Sequence, residues 1–253
     1  MKAHLIPAIL IAISLTACFS NKGNSFTDVP KSAFEEALEK MSDNEVNTTY
    51  IRVCRNLIQE KNKLAKAYES AGTKSQKETV LAKARELLAL TLSDSIFVCW
   101  YGTGWDFNGT TTCPRNGNIA CGYFITTVLQ QSGFNISRSF LAQQASGIMI
   151  KTLCPDDQIK IVTNNQTQKL FAYLKSKQDG IFIVGLDNHT GFIFKKNNTI
   201  DFIDADYQVD KVVREPLEKS AIIRSNSYFM VGDLLHSDET MARWLTGKKI
   251  GNE

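Results

Sequence analysis

The stretch that decides the fold runs from Gly180 to Asp204 and reads GIFIVGLDNHTGFIFKKNNTIDFID. Its hydrophobic pattern has a period of two, which is typical of β-strands. The pairs Asp187-Asn188 and Asn197-Asn198 favour tight hairpin turns. The predicted strands are 180–186, 189–195 and 199–204. Three strands joined by two short turns form an antiparallel meander.

Most of the remaining chain has a helical pattern. Apolar residues recur at helical spacing from Ser32 to Thr91, with a break at Gly72, and this predicts two or three helices. Further helices are predicted at 121–132, from Ser137 to before Pro155, at 167–176 and at 239–245, and a further strand at 228–231. Helices gathered before a run of strands favour an α+β domain over alternating βαβ units.

Composition and charge exclude some functions. The chain has 253 residues, 43% of them hydrophobic and 22% charged, which is ordinary for a globular protein. Basic residues number 29 and acidic residues 26, so the net charge is only +3. The sequence has no clustered basic patch, and we therefore expect no nucleic-acid partner.

The N-terminus has the pattern of a bacterial export signal. Lys2 precedes an apolar run from Leu5 to Leu15, which has the length of a secretory hydrophobic region. The run ends in Leu15-Thr16-Ala17-Cys18, which resembles the bacterial lipobox. We therefore expect residues 1–17 to be a lipoprotein signal peptide and Cys18 to be lipidated. An ordinary signal peptide cut nearby and an uncleaved membrane helix stay open as alternatives.

A tether is predicted to follow the lipid. Residues 18–31 are rich in Ser, Asn, Lys and Gly, a composition typical of a flexible segment. Acyl chains on Cys18 would anchor the protein firmly to a bacterial membrane, since each buried methylene contributes about 0.8 kcal/mol. We expect the folded part to lie in the cell envelope, on the periplasmic or outer-surface face, with a helical subdomain over residues 32–93.

Cys121 is the candidate nucleophile. It stands at the first turn of the predicted helix 121–132, behind a Gly-containing loop, where peptide dipoles favour a thiolate and stabilise an oxyanion. The alternative is that Cys121 is a small residue of the hydrophobic core with no catalytic role, because cysteine is often buried. The six cysteines include no Cys-x-x-Cys pair, so we expect neither a metal nor a cofactor.

The other cysteines leave two alternatives open. Cys54, Cys99, Cys113 and Cys154 could form up to two disulfides in an oxidising compartment, with three connectivities, or could be buried free thiols. A disulfide bond from Cys113 to Cys154 would fix the loop that precedes the candidate nucleophile.

His189 is the preferred partner for the thiol. The only other histidines are His4, in the leader, and His236, which has the pattern of a surface residue. His189 opens a predicted strand among small neighbours, and its ring needs a polar group to fix the tautomer. Asp204 on the next strand is preferred for this role, with Asp201 in reserve, because alternation places Asp204 on the face of the apolar Phe202.

The order of these residues resembles that in the NlpC-type cell-wall cysteine peptidases, a papain-like superfamily that includes the CHAP amidases. The resemblance covers about Trp100 to Asp206. It implies that residues 94–253 form a papain-like hydrolase domain, with helices packed on an antiparallel sheet. It also implies a Cys121, His189 and Asp204 mechanism. The loop Trp100-Tyr101-Gly102-Thr103-Gly104 is similar to a family loop whose tyrosine lies near the nucleophile.

Substrate-binding roles are therefore expected for Tyr101 and, in the same loop, for Trp105, which could line a groove or simply pack. The chain departs from the common family signature around the nucleophile: Ala120 precedes the cysteine, where Asp is usual, and Gly122-Tyr123 follow it in place of Ser-Gly. The orienting residue, Asp204, is more often His, Asn or Gln. We therefore expect a divergent member.

The resemblance implies an amide hydrolase that acts on peptidoglycan stem peptides. Two alternatives stay open. One is a non-catalytic envelope lipoprotein that binds a cell-wall peptide or protein partner through the same cleft. The other is a hydrolase of the same kind whose substrate is a host or competitor protein.

Overall fold

The computed structural model describes residues 31–164 and 166–251. The predicted signal peptide, Cys18 and the tether up to residue 30 lie outside these residues. The described chain is an α+β structure built around a mixed eight-stranded sheet, which confirms the predicted class. Within the described part, no helix is both long enough and apolar enough to span a membrane.

Three helices form the N-terminal part, as the helical spacing predicts: α1 (Ala33–Leu38), α2 (Asp43–Ser70) and α3 (Lys74–Thr91). Capping boxes begin the two long helices: Ser42 pairs with Glu45, and Thr73 pairs with Gln76. In each box the side chains satisfy N–H groups that the helix leaves without partners. The α2–α3 connection contains Gly72, where the sequence predicts the break.

The third helix does not stop at the predicted subdomain boundary. It continues through a π-helical turn (Leu92–Ile96) into α4 (Phe97–Trp100), so residues 93 and 94 lie inside one helical run. Phe97 and Trp100 are fully buried. The run therefore carries the N-terminal helices directly into the centre of the molecule.

The sheet contains strands on both sides of the predicted meander. They are β1 (Gly104–Trp105), β2 (Asn118–Ile119), β3 (Ile159–Val162), β4 (Gly180–Gly185), β5 (Thr190–Lys196), β6 (Thr199–Asp206), β7 (Lys211–Pro216) and β8 (Phe229–Asp233). The spatial order is β2-β1-β7-β6-β5-β4-β8-β3. Strands β4, β5 and β6 form the predicted antiparallel meander. The expectation of a purely antiparallel sheet is wrong, because β1 and β2 pair in parallel at one edge.

The later helices are α5 (Cys121–Gln131), α6 (Arg138–Ala142), α7 (Ser146–Leu153), α8 (Thr167–Ser176), α9 (Ala221–Ser225) and α10 (Asp238–Thr246). The single helix predicted from Ser137 to before Pro155 is wrong, since residues 143–145 separate α6 from α7. The reason is a tertiary contact. The start of α5 packs against the carbonyl of Ala142 so closely that a Cβ on Gly122 would lie 2.3 Å from that oxygen.

Helices cover both faces of the sheet. Side chains of β4, β5 and β6 that point to one face join the core made by α1 to α5, α7 and α10. Those on the other face pack against α8 and α9. Ile203 and Ala205 belong to the first core and Phe202 to the second, so β6 alternates as a strand buried on both sides must.

Candidate active site

The helix α5 begins at Cys121. The Ala120 N–H donates to the Gly109 carbonyl at 2.9 Å, and the Phe124 N–H donates to the Ala120 carbonyl at 2.8 Å. Buried side chains farther along α5, including Ile125 and Val128, hold the helix on the sheet. The thiol is therefore fixed at a helix start, where the first N–H groups have no partner inside the helix.

His189 occupies the position just before β5. The Leu186 N–H donates to the His189 carbonyl at 2.8 Å, which closes the predicted turn at Asp187-Asn188. His189 is buried, with 4% of its surface exposed. Its ring is therefore held by the hairpin backbone and by the surrounding side chains.

Asp204 orients the His189 ring. The His189 Nε2 and Asp204 Oδ2 atoms lie 2.6 Å apart, and Asp204 is fully buried. Asp204 lies on β6 two residues after Phe202, on the predicted face. Asp201, the reserve candidate, instead forms an ion pair with Arg214 at 2.6 Å. The structure thus selects Asp204 over Asp201 as the partner of His189.

The Cys121 thiol and the His189 imidazole line the same cleft, and each shifts the pKa of the other. Because Nε2 faces Asp204, Nδ1 is the ring nitrogen left for the sulfur. Burial raises the pKa of the thiol, but the hydrogen bond and positive charge of His189, with the backbone groups of Gly122 and Thr190, outweigh it. The net result is a lowered pKa for Cys121, which favours the thiolate.

Opposing effects also act on the pKa values of His189 and Asp204. Burial lowers the pKa of His189, but its bonds to Asp204 and Cys121 prevail and raise it to about 9. Burial raises the pKa of Asp204 to about 6, against the lowering effect of His189. The shifts of Cys121 and His189 favour a thiolate beside an imidazolium, whereas the shift of Asp204 favours its protonated form, although a pKa of about 6 still leaves it mainly a carboxylate near neutral pH.

The thiol and the imidazole line a cleft of about 230 Å³. One wall is the α6–α7 connection, and the other is the turn before β5. The lining side chains apart from the pair include Ala142, Gln144, Ser146, Met149, Leu186 and Asn188. Cys121 is partly buried rather than sealed in the core, and it lines this cleft.

Tyr207 is a site residue that the sequence did not reveal. Its ring centroid lies 5.3 Å from that of His189, in an edge-on contact. Trp105 lies behind it, at 6.1 Å from the Tyr207 ring, and is not among the residues that line the cleft. Trp105 therefore does not line the cleft as expected; it contacts Tyr207, which in turn contacts the His189 ring. The only sign of Tyr207 in the sequence is that it is an aromatic residue shortly after the predicted strand 199–204.

The expectation that Tyr101 lies beside the nucleophile is wrong. Tyr101 lines a separate cavity of about 510 Å³ together with Arg214 and Lys31, and it is absent from the walls of the Cys121 cleft. Burial raises the pKa of its hydroxyl, and Arg214 opposes this effect. The side chain is directed there because Tyr101 follows the buried end of α4 and packs against the core.

The remaining histidine and cysteines stand apart from the cleft. His236 pairs with Asp233 at 2.8 Å on the wall of a different cavity. The four other described cysteines are all free thiols, so the suggested bond between Cys113 and Cys154 is not formed. Within residues 31–164 and 166–251, no group of three or more His, Cys, Asp or Glu side chains is placed to hold a metal ion.

Comparisons of the chain with protein-family models, curated proteins and solved structures found no match. The function therefore has to be inferred from the geometry around Cys121.

Proposed function

We propose that this chain is a lipid-anchored cysteine hydrolase of the papain-like, NlpC type that cleaves an amide bond in peptidoglycan stem peptides. The observation that carries the proposal is that Cys121 and His189 line one cleft, with Asp204 bonded to the His189 ring. A nucleophile, a base and a group that orients the base are the parts that thiol hydrolysis needs.

The fold supports the papain-like assignment. The nucleophile begins a helix that packs on the sheet, the histidine precedes one strand, and the orienting residue lies on the next. This is the arrangement that the resemblance implies for the superfamily.

The residues have distinct roles in the proposed reaction. Cys121 attacks the carbonyl carbon of the amide as a thiolate, and the N–H of Cys121 at the helix start stabilises the oxyanion. His189 then donates its proton to the leaving amine, and a thioester remains on the sulfur. Water, deprotonated by His189, hydrolyses the thioester and restores the thiol. Asp204 holds the imidazole in position throughout.

The location proposed from the leader agrees with the substrate. A lipid on Cys18 would keep the enzyme next to the cell-wall polymer at high effective concentration. No covalent cofactor is needed for this chemistry, because the side chains supply both the nucleophile and the proton transfers.

Digestion of purified murein tests the proposal. Full-length wild type should release peptide fragments, and Cys121→Ala should release almost none, because general acid–base and thiol catalysis together are lost. Cys113→Ala is the matched control, since Cys113 is a partly exposed thiol outside the cleft and its loss should leave the digest unchanged. Equal release by wild type and Cys121→Ala would remove murein as the substrate.

A further inference from the structure

Carboxylates gather on the face of the sheet that carries Asp204. In the antiparallel pairing of β6 with β7, Asp204 is opposite Val213 and Phe202 is opposite Glu215. Side chains alternate along a strand, so Phe202, Asp204 and Asp206 share one face with Glu215. Glu215 is therefore a diagonal neighbour of Asp204, within reach of its charge.

Asp204 is poorly satisfied in this setting. Its Oδ2 atom contacts His189, while its buried Oδ1 atom has no hydrogen-bond partner among the described residues. The charges that act on it most strongly are those of His189 just before β5, Asp206 from its own strand and Glu215 from β7, and the exposed Lys211 lies opposite Asp206 in the same strand pairing. Among the three strongest charges, one favourable charge is thus set against two unfavourable ones.

Glu215 itself is half-buried. Burial raises the pKa of its carboxyl, and Ser220 and Arg224 near it oppose that effect. Tyr207, just after β6, makes an edge-on contact with the His189 ring. A fixed anion close to a buried carboxylate raises the free energy of the ionised form.

We propose that Glu215 is a positioning residue of this site, which acts through Asp204 to set the acid limit of the pH range in which the Cys121–His189 ion pair forms. The inference rests on the proposed thiol chemistry. The ionisation state of Asp204 then determines whether the Cys121–His189 ion pair forms.

The physical reason is the coupling between three groups. Ionised Asp204 stabilises the imidazolium, and the imidazolium stabilises the thiolate. When Asp204 takes up a proton, the imidazolium loses its counter-charge and the thiol proton moves back to sulfur. Glu215 and Asp206 raise the pKa of Asp204, so they bring this loss to a higher pH than an isolated pair would show.

Alkylation of Cys121 by iodoacetamide measures the ion pair without any substrate. In full-length protein, the rate at Cys121 is followed against pH by peptide mass spectrometry, which separates it from the other cysteines. Glu215→Gln should move the acid limb to lower pH by about half a unit or more, the size expected for one nearby like charge. Rates on the acid limb should rise about threefold or more in consequence.

Two further variants make the test specific. Glu218→Gln removes the same charge from an exposed ion pair with Lys175 and should leave the limb in place. Asp206→Asn removes the other like charge while keeping an oxygen that accepts the Gln208 N–H, and should shift the limb in the same direction. This second variant carries the test if Glu215→Gln does not fold.

The outcomes are separable from those of the proposed function. Fast alkylation of wild-type Cys121 with an acid limb unmoved by Glu215→Gln and Asp206→Asn would overturn this inference alone. A matching shift in Glu218→Gln would also overturn it, because net charge would then be the cause. Slow alkylation of wild-type Cys121, with the pH profile of an ordinary thiol, would overturn the proposed hydrolase as well.

Discussion

Burial acts in the same direction on the pKa values of four described cysteines, yet one of them differs from the other three. Desolvation raises the pKa of Cys54 to about 11 and also raises those of Cys99 and Cys154. Burial also opposes ionisation of the half-buried Cys121, but its pKa is lowered because His189 outweighs that effect. Reactivity at a single thiol is therefore a matter of neighbours rather than of exposure.

Asp204→Asn tests the charge on the orienting residue. Loss of the carboxylate removes the main effect that raises the pKa of His189, so the imidazolium should lose its proton well below pH 9. The proton that His189 gives to the leaving amine is then lost at a lower pH, so the alkaline limb of hydrolysis should shift to lower pH and hydrolysis should drop by about 10²-fold or more. The measurement is the pH profile of murein digestion.

Asp201→Asn is the matched control for that change. It removes the same charge from the neighbouring part of β6, but from an ion pair with Arg214 that does not touch His189. The alkaline limb of the pH profile of Asp201→Asn should coincide with that of the wild type. If the two variants shift the limb equally, Asp204 does not act through direct contact with the ring.

At the scale of the elements, the site depends on how closely two strands approach. Gly191 on β5 faces Phe202 and Asp204 on β6, and a Cβ there would lie 2.5 Å from the Phe202 ring and 2.9 Å from the Asp204 Cβ. Real Cβ atoms do not come so close to neighbouring atoms. Glycine at this position therefore gives Asp204 the space to reach His189.

Gly191→Ala should displace Asp204 from His189. We expect a loss of activity of more than about 10-fold with a stability loss of about 1–3 kcal/mol, the range for inserting one methyl group in a packed region. Urea unfolding and murein digestion give the two numbers. Gly72→Ala is the control, since a Cβ there meets no atom closer than 3.8 Å. Full activity in Gly191→Ala would show that the strand spacing is not critical.

At the scale of the whole molecule, the N-terminal helices and the sheet share one core. Tyr50 on α2 bonds to Gln131 at the end of α5, and Lys61 on the same helix donates to the Gly133 carbonyl at 2.9 Å. Arg85 on α3 donates to the Leu235 carbonyl at 2.9 Å. The helices before residue 92 are therefore bound at several points to the part of the chain that follows them.

A core substitution in the N-terminal helices should destabilise the entire protein. Leu88 on α3 is fully buried in the shared core, and Leu88→Ala should cost about 2–5 kcal/mol. Unfolding in urea, followed by circular dichroism and by tryptophan fluorescence, should give one coincident transition shifted to lower urea. Leu90→Ala, on the exposed side at 37%, should cost less than about 1 kcal/mol. Separate transitions by the two probes would show that the helices unfold independently.

The sequence by itself determined the elements whose pattern is local. The meander β4 to β6, the helix α5 and its cysteine, and the helix α8 at Thr167–Ser176 all follow from periodicity and turn residues. Strand alternation was also sufficient to prefer Asp204 over Asp201, because side chains on one strand must alternate between faces. The leader, Cys18 and the function stay predictions.

Only the tertiary structure decided which distant residues meet. The break between α6 and α7, the positions of Tyr101 and Tyr207, and the diagonal from Asp204 to Glu215 depend on packing between segments far apart in the chain. Periodicity reports which face of an element is buried, but it carries no information about the neighbour on that face. Short strands such as β1 and β2, with two residues each, have too few positions to show a period at all.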